Sequence, residues 1–251
     1  MKGTFNHSPL EYSLNIRGES WKQGERLRGS LKVKNTSSEE LNLSNYGVTL
    51  AFGDIKKLHS KKDKAFTNSA EVLFEDLLLA PNSEENLSFQ FQLDKDCPIT
   101  EKASSLYVLC GEPEKPFEGG LLQLAIAPYT VISNFTHVLE TIYRCKIKSL
   151  KNKKGQIEAK VQVPDSKSYA AVQALSLLMR FTGDQLELSY TFKLKVTNFE
   201  HGIMGTKDEV REIKSVLSPD QYQIYGDSPN QEGIGKAIDE VLEQIKTKSF
   251  L

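Results

Sequence analysis

The sequence predicts an all-β chain of two tandem immunoglobulin-like β-sandwich modules, with short helices at the start of the second module and at the C-terminus. Three observations predict it. Between Leu10 and Ile126 apolar residues recur at every second position, the period of strands with one buried and one wet face. Turn-forming residues stand where each alternating run stops, with no helix-length pattern between the runs, which favours an antiparallel sandwich over a βαβ sheet. After Pro128 a 3.6-residue period appears briefly, and the two-residue period then resumes.

The alternating runs of the first module are Leu10, Tyr12, Leu14 and Ile16; Leu27, Gly29, Leu31 and Val33; Val48, Leu50 and Phe52; Leu87, Phe89, Phe91 and Leu93; and Leu122, Leu124 and Ile126. Lys22-Gln-Gly24-Glu, Asn35-Thr-Ser-Ser-Glu-Glu, Gly53-Asp54 and Pro81-Asn-Ser separate them. Ser133 or Asn134 can then cap a helix whose Phe135, Val138, Leu139 and Ile142 share one face. Strands follow at Tyr143–Leu150 and Gln156–Val163 across the turn Lys151-Asn-Lys-Lys-Gly155. A long pair, Ala170–Phe181 and Leu186–Val196, is joined by Thr182-Gly183-Asp184. Beyond residue 200, Thr206 or Asp208 can cap a helix with Val210, Ile213 and Leu217, ended by Pro219. A polar stretch, Asp220 to Gly233, leads to a last helix at Ile234–Lys248. These readings divide the chain into a sandwich at 1–128, a smaller β module with one helix at 129–200, and a helical tail at 201–251.

Composition narrows the function. The 251 residues are 39% hydrophobic and 26% charged, ordinary globular usage, and 32 basic against 33 acidic side chains leave a net charge of -1. No global field gathers nucleic acid, and no aromatics interleave with the basic clusters as single-strand binding requires, so nucleic acid is not an expected partner. The opening residues hold no apolar core of a signal peptide, and no run reaches the roughly 18 residues of a membrane span, so cytoplasmic residence is expected. Cys97, Cys110 and Cys145 are widely spaced, which suits reduced structural thiols.

Two stretches carry a resemblance. Trp21-Lys-Gln-Gly24-Glu25-Arg-Leu27-Arg-Gly29-Ser-Leu31-Lys-Val33 resembles the arrestin amino-terminal signature, a Gly-Glu turn feeding an aliphatic-x-Gly-x-aliphatic-x-Val strand. Leu87-Ser-Phe89-Gln-Phe91-Gln-Leu93, then Pro98-Ile-Thr100 and Ser105-Leu-Tyr107-Val-Leu109, is similar to that family's Phe-x-Phe-x-Leu strand, proline turn and following strand. Asp94 departs from it, standing where the family often has proline. The helix opening a compact second module looks like the bacterial sporulation-control type of arrestin-like protein. What the resemblance implies is adaptor work: arrestin-like modules whose loops and faces hold other proteins, sometimes near membranes, with no chemistry. No Pro-Pro-x-Tyr ligase-recruiting motif accompanies it.

Catalytic, cofactor-binding and metal-binding residues are not expected. His7, His59, His137 and His201 lie in no metal-ligand spacing, and no GxSxG, phosphate loop or GxGxxG is present. Cys145 and His137 form the one nucleophile and base pair that sequence proximity suggests. Two groups are candidates for binding. Ile238, Val241, Leu242 and Ile245 keep helical i, i+3, i+4, i+7 spacing, and that stripe either docks on its own module or fills a partner's groove. Lys56, Lys57, Lys61, Lys62 and Lys64 form a basic loop that serves either as a solvated tip or as a contact for an anionic membrane surface. The expected function is a non-enzymatic adaptor or scaffold binding protein partners, with a peripheral membrane-surface module as the alternative. A homodimer through a long edge strand such as Leu186–Val196 is open to it.

Overall fold

The computed structural model describes residues 1–60, 65–166, 169–200, 203–226 and 228–245, and the chain divides into two compact units, Met1–Pro128 and Tyr129–Leu251. In the first unit, strands β1 (Lys2–His7), β2 (Leu10–Ile16), β3 (Trp21–Lys22), β4 (Arg26–Asn35), β5 (Leu41–Asn42) and β6 (Gly47–Asp54) precede a short helix α1 (Ile55–His59). Strands β7 (Phe66–Leu73), β8 (Leu78–Leu79), β9 (Glu84–Gln92), β10 (Ser104–Gly111), β11 (Gly120–Gln123) and β12 (Ile126–Ala127) complete it. They form one sheet of order β1-β2-β4-β9 and another of order β11-β10-β6-β7, all antiparallel. The alternating residues decide the layer between them: Tyr12, Leu14, Leu31, Val33, Phe89 and Phe91 of one sheet pack in a single core with Val48, Leu50, Leu106 and Val108 of the other.

Gly29 interrupts the aliphatic run for a steric reason. It pairs with Phe89 across the sheet, and a Cβ there would meet the Phe89 ring and the Asn15 carbonyl oxygen. The run at 122, 124 and 126 divides into two strands. β11 pairs with β10, whereas β12 runs parallel to β3, where Trp21 N and Gln23 N donate to Ala125 O and Ala127 O.

In the second unit, helix α2 (Thr130–Thr141) is followed by β13 (Lys146–Asn152), β14 (Ile157–Gln162), β15 (Val172–Thr182), β16 (Gln185–Glu200) and β17 (Ile203–Leu217), then α3 (Pro219–Tyr222) and α4 (Gln231–Ile245). The five strands make one antiparallel meander in sequence order. Its apolar face carries Ile157, Ala159, Val161, Leu175, Leu177, Met179, Leu186, Leu188, Phe192 and Leu194, all buried. Helices α2 and α4 supply the layer over that face, so this unit buries its sheet under helices where the first uses a second sheet. Helix α2 starts a turn before the expected caps because Val131 and Ile132 extend the buried stripe of Phe135, Val138 and Leu139 towards the N-terminus. Ile142, expected on that stripe, lies past the helix and is exposed.

The helix expected over Val210, Ile213 and Leu217 is a strand. Residues 203–217 pair with β16 over all fifteen positions, and their burial follows a two-residue period: Ile213 and Leu217 face inward, while Val210 and Val216 stay 63% and 52% exposed. Three aliphatics at i, i+3 and i+7 satisfied the helical spacing. The β-branched residues and the long exposed edge of β16 decided otherwise, because a strand fills that edge's hydrogen-bonding groups and an isolated helix of this length gains nothing comparable. The stretch 201–251 is therefore no separate helical tail. Leu186–Val196 lies in β16, between β15 and β17, and is not an edge; β17 is.

Candidate interaction surfaces

The tail stripe is committed within its own unit. Ile238, Val241 and Ile245 are buried and Leu242 is half-buried, so of the two readings of the stripe the structure takes docking on its own unit, and the four residues named as candidates for a partner's groove are not presented to one. Asn230 starts the helix by accepting from Gly233 N at 2.9 Å. The Tyr143 hydroxyl then holds α4 down, bonded to Gly235 O and Asp239 Oδ1, each at 2.8 Å. Burial first, and the Asp239 carboxylate second, raise the Tyr143 pKa above that of an ordinary phenol. Between Leu139, Leu175, Phe192, Ile238 and Val241 an apolar void of about 10 Å³ remains, no larger than a single water.

Lys56 and Lys57 are exposed on α1. Their backbone N–H groups donate to Asp54 Oδ1 at 2.9 and 3.2 Å, the cap that starts this single turn. Lys61, Lys62 and Lys64 lie outside the described residues, as does His201. The Cys145 and His137 pair does not assemble: His137 points from the exposed side of α2, and the buried Cys145 thiol contacts Tyr143 O. Burial pushes that thiol up to about 11, which suits a packing residue and not a nucleophile. Among the described residues no group of three or more His, Cys, Asp and Glu side chains could hold a metal, and no helix is long and apolar enough to cross a membrane.

A surface that the sequence reading passed over lies on the other side of the second unit's sheet. Where the inner face packs under helices, the outer face of β15, β16 and β17 forms an open trough of about 390 Å³. Arg180, Glu187, Ser189, Thr191, Glu212 and Lys214 line it, a mixture of both charges and of hydroxyls. The signal was available as the polar halves of the alternating strands, but no sequence feature says that a polar face is concave. At its margin β17 leaves Val210 and Val216 in solvent. Ile224 and Tyr225 are 66% and 83% exposed in the connection from α3 to α4, which the bridge Gln223 to Pro229 closes. Ile224 and Tyr225 are both large apolar side chains within the otherwise polar stretch Asp220 to Gly233.

No protein-family profile matches the chain, and no curated protein matches it by sequence. Among solved structures, the sporulation control protein Spo0M from Bacillus subtilis superposes with a TM-score of 0.63 at 15% identity, over 94% of this chain and 99% of that one. The chain thus has the arrestin-like, mainly β fold of that protein, as the amino-terminal strand patterns implied. Partial matches to a Pseudomonas fluorescens alkylpurine DNA glycosylase, AlkC (TM-score 0.30, 12% identity, 47% of this chain and 30% of that), and to a Listeria innocua β-glucosidase (0.31, 13%, 50% and 17%) are too slight to bear on it.

Proposed function

We propose that this protein is a non-enzymatic cytoplasmic adaptor that holds a protein partner against the outer face of the second unit's sheet. The observation that carries the reading is the trough itself: an exposed, concave sheet face whose Arg180, Glu187, Glu212 and Lys214 present both charges around the hydroxyls of Ser189 and Thr191. Such a mixed polar face suits a protein surface, where charges set orientation and register, better than it suits a polyanion. Fold alone assigns no function, so the weight rests on this face. Affinity capture from the native cell tests it. The wild type should recover a partner that Arg180→Glu with Thr191→Arg loses and that Lys56→Glu with Lys57→Glu retains. Recovery of the same proteins by all three chains would sink the reading.

A second reading has its own observation in the exposed Lys56 and Lys57, which could add about 1 kcal/mol each at an anionic bilayer. Sedimentation with phosphatidylserine vesicles that is unchanged by Lys56→Glu with Lys57→Glu would remove it.

A further inference from the structure

Strand β17 ends the five-stranded sheet, and its outward backbone groups can be assigned. The two-residue connection Gly183-Asp184, with Gly183 at φ 61, closes the pair Thr182 and Gln185, which in such a hairpin exchanges both hydrogen bonds. Alternation along β16 then turns Gln185, Glu187 and Ser189 towards β15, and Leu186, Leu188 and Tyr190 towards β17. Their partners Leu217, Ser215 and Ile213 are the odd-numbered residues of β17. The even-numbered residues, Val210, Glu212, Lys214 and Val216, therefore direct N–H and C=O away from the sheet. All four side chains lie exposed on the outer face, while α4 occupies the inner one, where Arg211 Nη1 donates to Gln244 O and Ile213 is buried.

From this geometry we propose that β17 is a self-pairing edge: two copies of the chain join by antiparallel β17 to β17 pairing about a two-fold axis through Ile213. Natural sheets guard long edges with charge, and β17 carries six charged residues between Lys207 and Lys214. The order of those charges is what selects a second copy. With the axis at Ile213, Glu212 stands opposite Lys214 of the second copy and Val210 opposite its Val216, each contact occurring twice by symmetry. These four are also the residues whose backbone groups point outward, so the same register forms the hydrogen bonds and matches the side chains. Neighbouring registers fail. An axis at Glu212 or at Lys214 sets like charges face to face, one at Arg211 sets that arginine against its own copy, and one at Val210 puts Asp208 opposite Glu212. Val210 and Val216, two exposed valines on a charged strand, are placed symmetrically about Ile213 and cover one another in this register.

Sedimentation equilibrium on the full chain tests this. The wild type should show a monomer–dimer equilibrium. Glu212→Lys and Lys214→Glu should each weaken it roughly tenfold or more, since one substitution creates two like-charge contacts. Mixed in equal amounts, those two variants should form the heterodimer in preference to either homodimer, because the two lysines that one variant carries at these positions then meet the two glutamates of the other. Val210→Pro, which removes an outward N–H and leaves the β16 ladder intact, should also give monomer. Circular dichroism checks that each exposed substitution leaves the fold unchanged. A wild type that stays monomeric at every concentration overturns the proposal. So does a dimer indifferent to both charge reversals, or a mixture that does not re-associate. Because mass is the readout, this failure is distinct from failure to capture a partner on the trough.

Discussion

Asn35 and Tyr190 are both buried, and their polar atoms fare oppositely. Asn35 Nδ2 donates to Glu39 O at 2.7 Å, Leu79 O at 3.1 Å and Ala80 O at 3.2 Å, and Oδ1 accepts from Ser37 N and Ser37 Oγ. One side chain thus ties the turn after β4 to the strand β8 loop, and Asn35→Ala should cost about 2–3 kcal/mol in urea titration, since it strands a buried carbonyl. The Tyr190 hydroxyl is buried near that of Ser215, with no well-formed hydrogen bond to either. Tyr190→Phe keeps the ring stacked on Phe192 and should leave stability within about 1 kcal/mol of wild type, or raise it. The cysteines are a third case. Burial, aided at Cys97 by Asp94 and Asp96, pushes Cys97 and Cys110 up to about 12. A thiol raised on folding stabilises the protein below its unfolded pKa of about 8.5 and ceases to do so as pH climbs through the folded value. Melting temperature should therefore fall above about pH 8.5. At pH 8 a thiol-reactive dye should label the native chain slowly and all three cysteines after denaturation.

At the scale of elements, the lysine-rich turn between β13 and β14 illustrates how a charged loop is used locally. Lys154 and Gly155 take positive φ, and Lys153 Nζ reaches Glu158 at 2.5 Å while Ser176 Oγ donates to the same oxygen at 3.2 Å. The Lys153 hydrogen bond foremost holds the Glu158 carboxyl below its usual range. That stabilisation is present at neutral pH and lost as pH falls through the depressed value, so the melting temperatures of wild type and Glu158→Gln should differ at pH 7 and converge in acid. Helix α4 makes a larger contribution. Its Ile234, Ile238, Val241 and Ile245 bury on the unit's own apolar layer, worth about 6–12 kcal/mol before entropy, against a typical whole-domain stability of about 5–15 kcal/mol. A chain truncated after Gly233 should bind a hydrophobic dye and lose the near-ultraviolet dichroism of its second unit; a truncated chain with native dichroism would contradict the packing described.

Over the whole molecule, each unit encloses its own core. The first unit's buried residues come from both of its sheets and from within 1–128, so that fragment expressed alone should give a cooperative β-type dichroism spectrum and dispersed amide resonances. By itself the sequence determined β2, β4, β6, β9 and the run that divides into β11 and β12, the turn residues beside them, the helix before β13, the hairpin at Gly183 and the stripe of α4, whereas β1 and β7, which carry no unbroken aliphatic alternation, came only with the sheets they edge. Each of the former follows from local spacing: a side chain two or three to four residues away lands on the same face whatever lies beyond. The alternation placed Gly29 within the aliphatic run, and the structure supplied the reason for it: its lack of a side chain is the space the Phe89 ring fills. Tertiary structure alone decided the rest. Residues 203–217 became a strand because β16 offered fifteen positions to pair with, a non-local gain invisible in their own spacing. Ile238, Val241, Leu242 and Ile245 turned inward because the second sheet lacked a cover for its apolar face. The trough and the outward groups of β17 exist only once the strand order is known, since curvature and edge position belong to the sheet and to no residue in it.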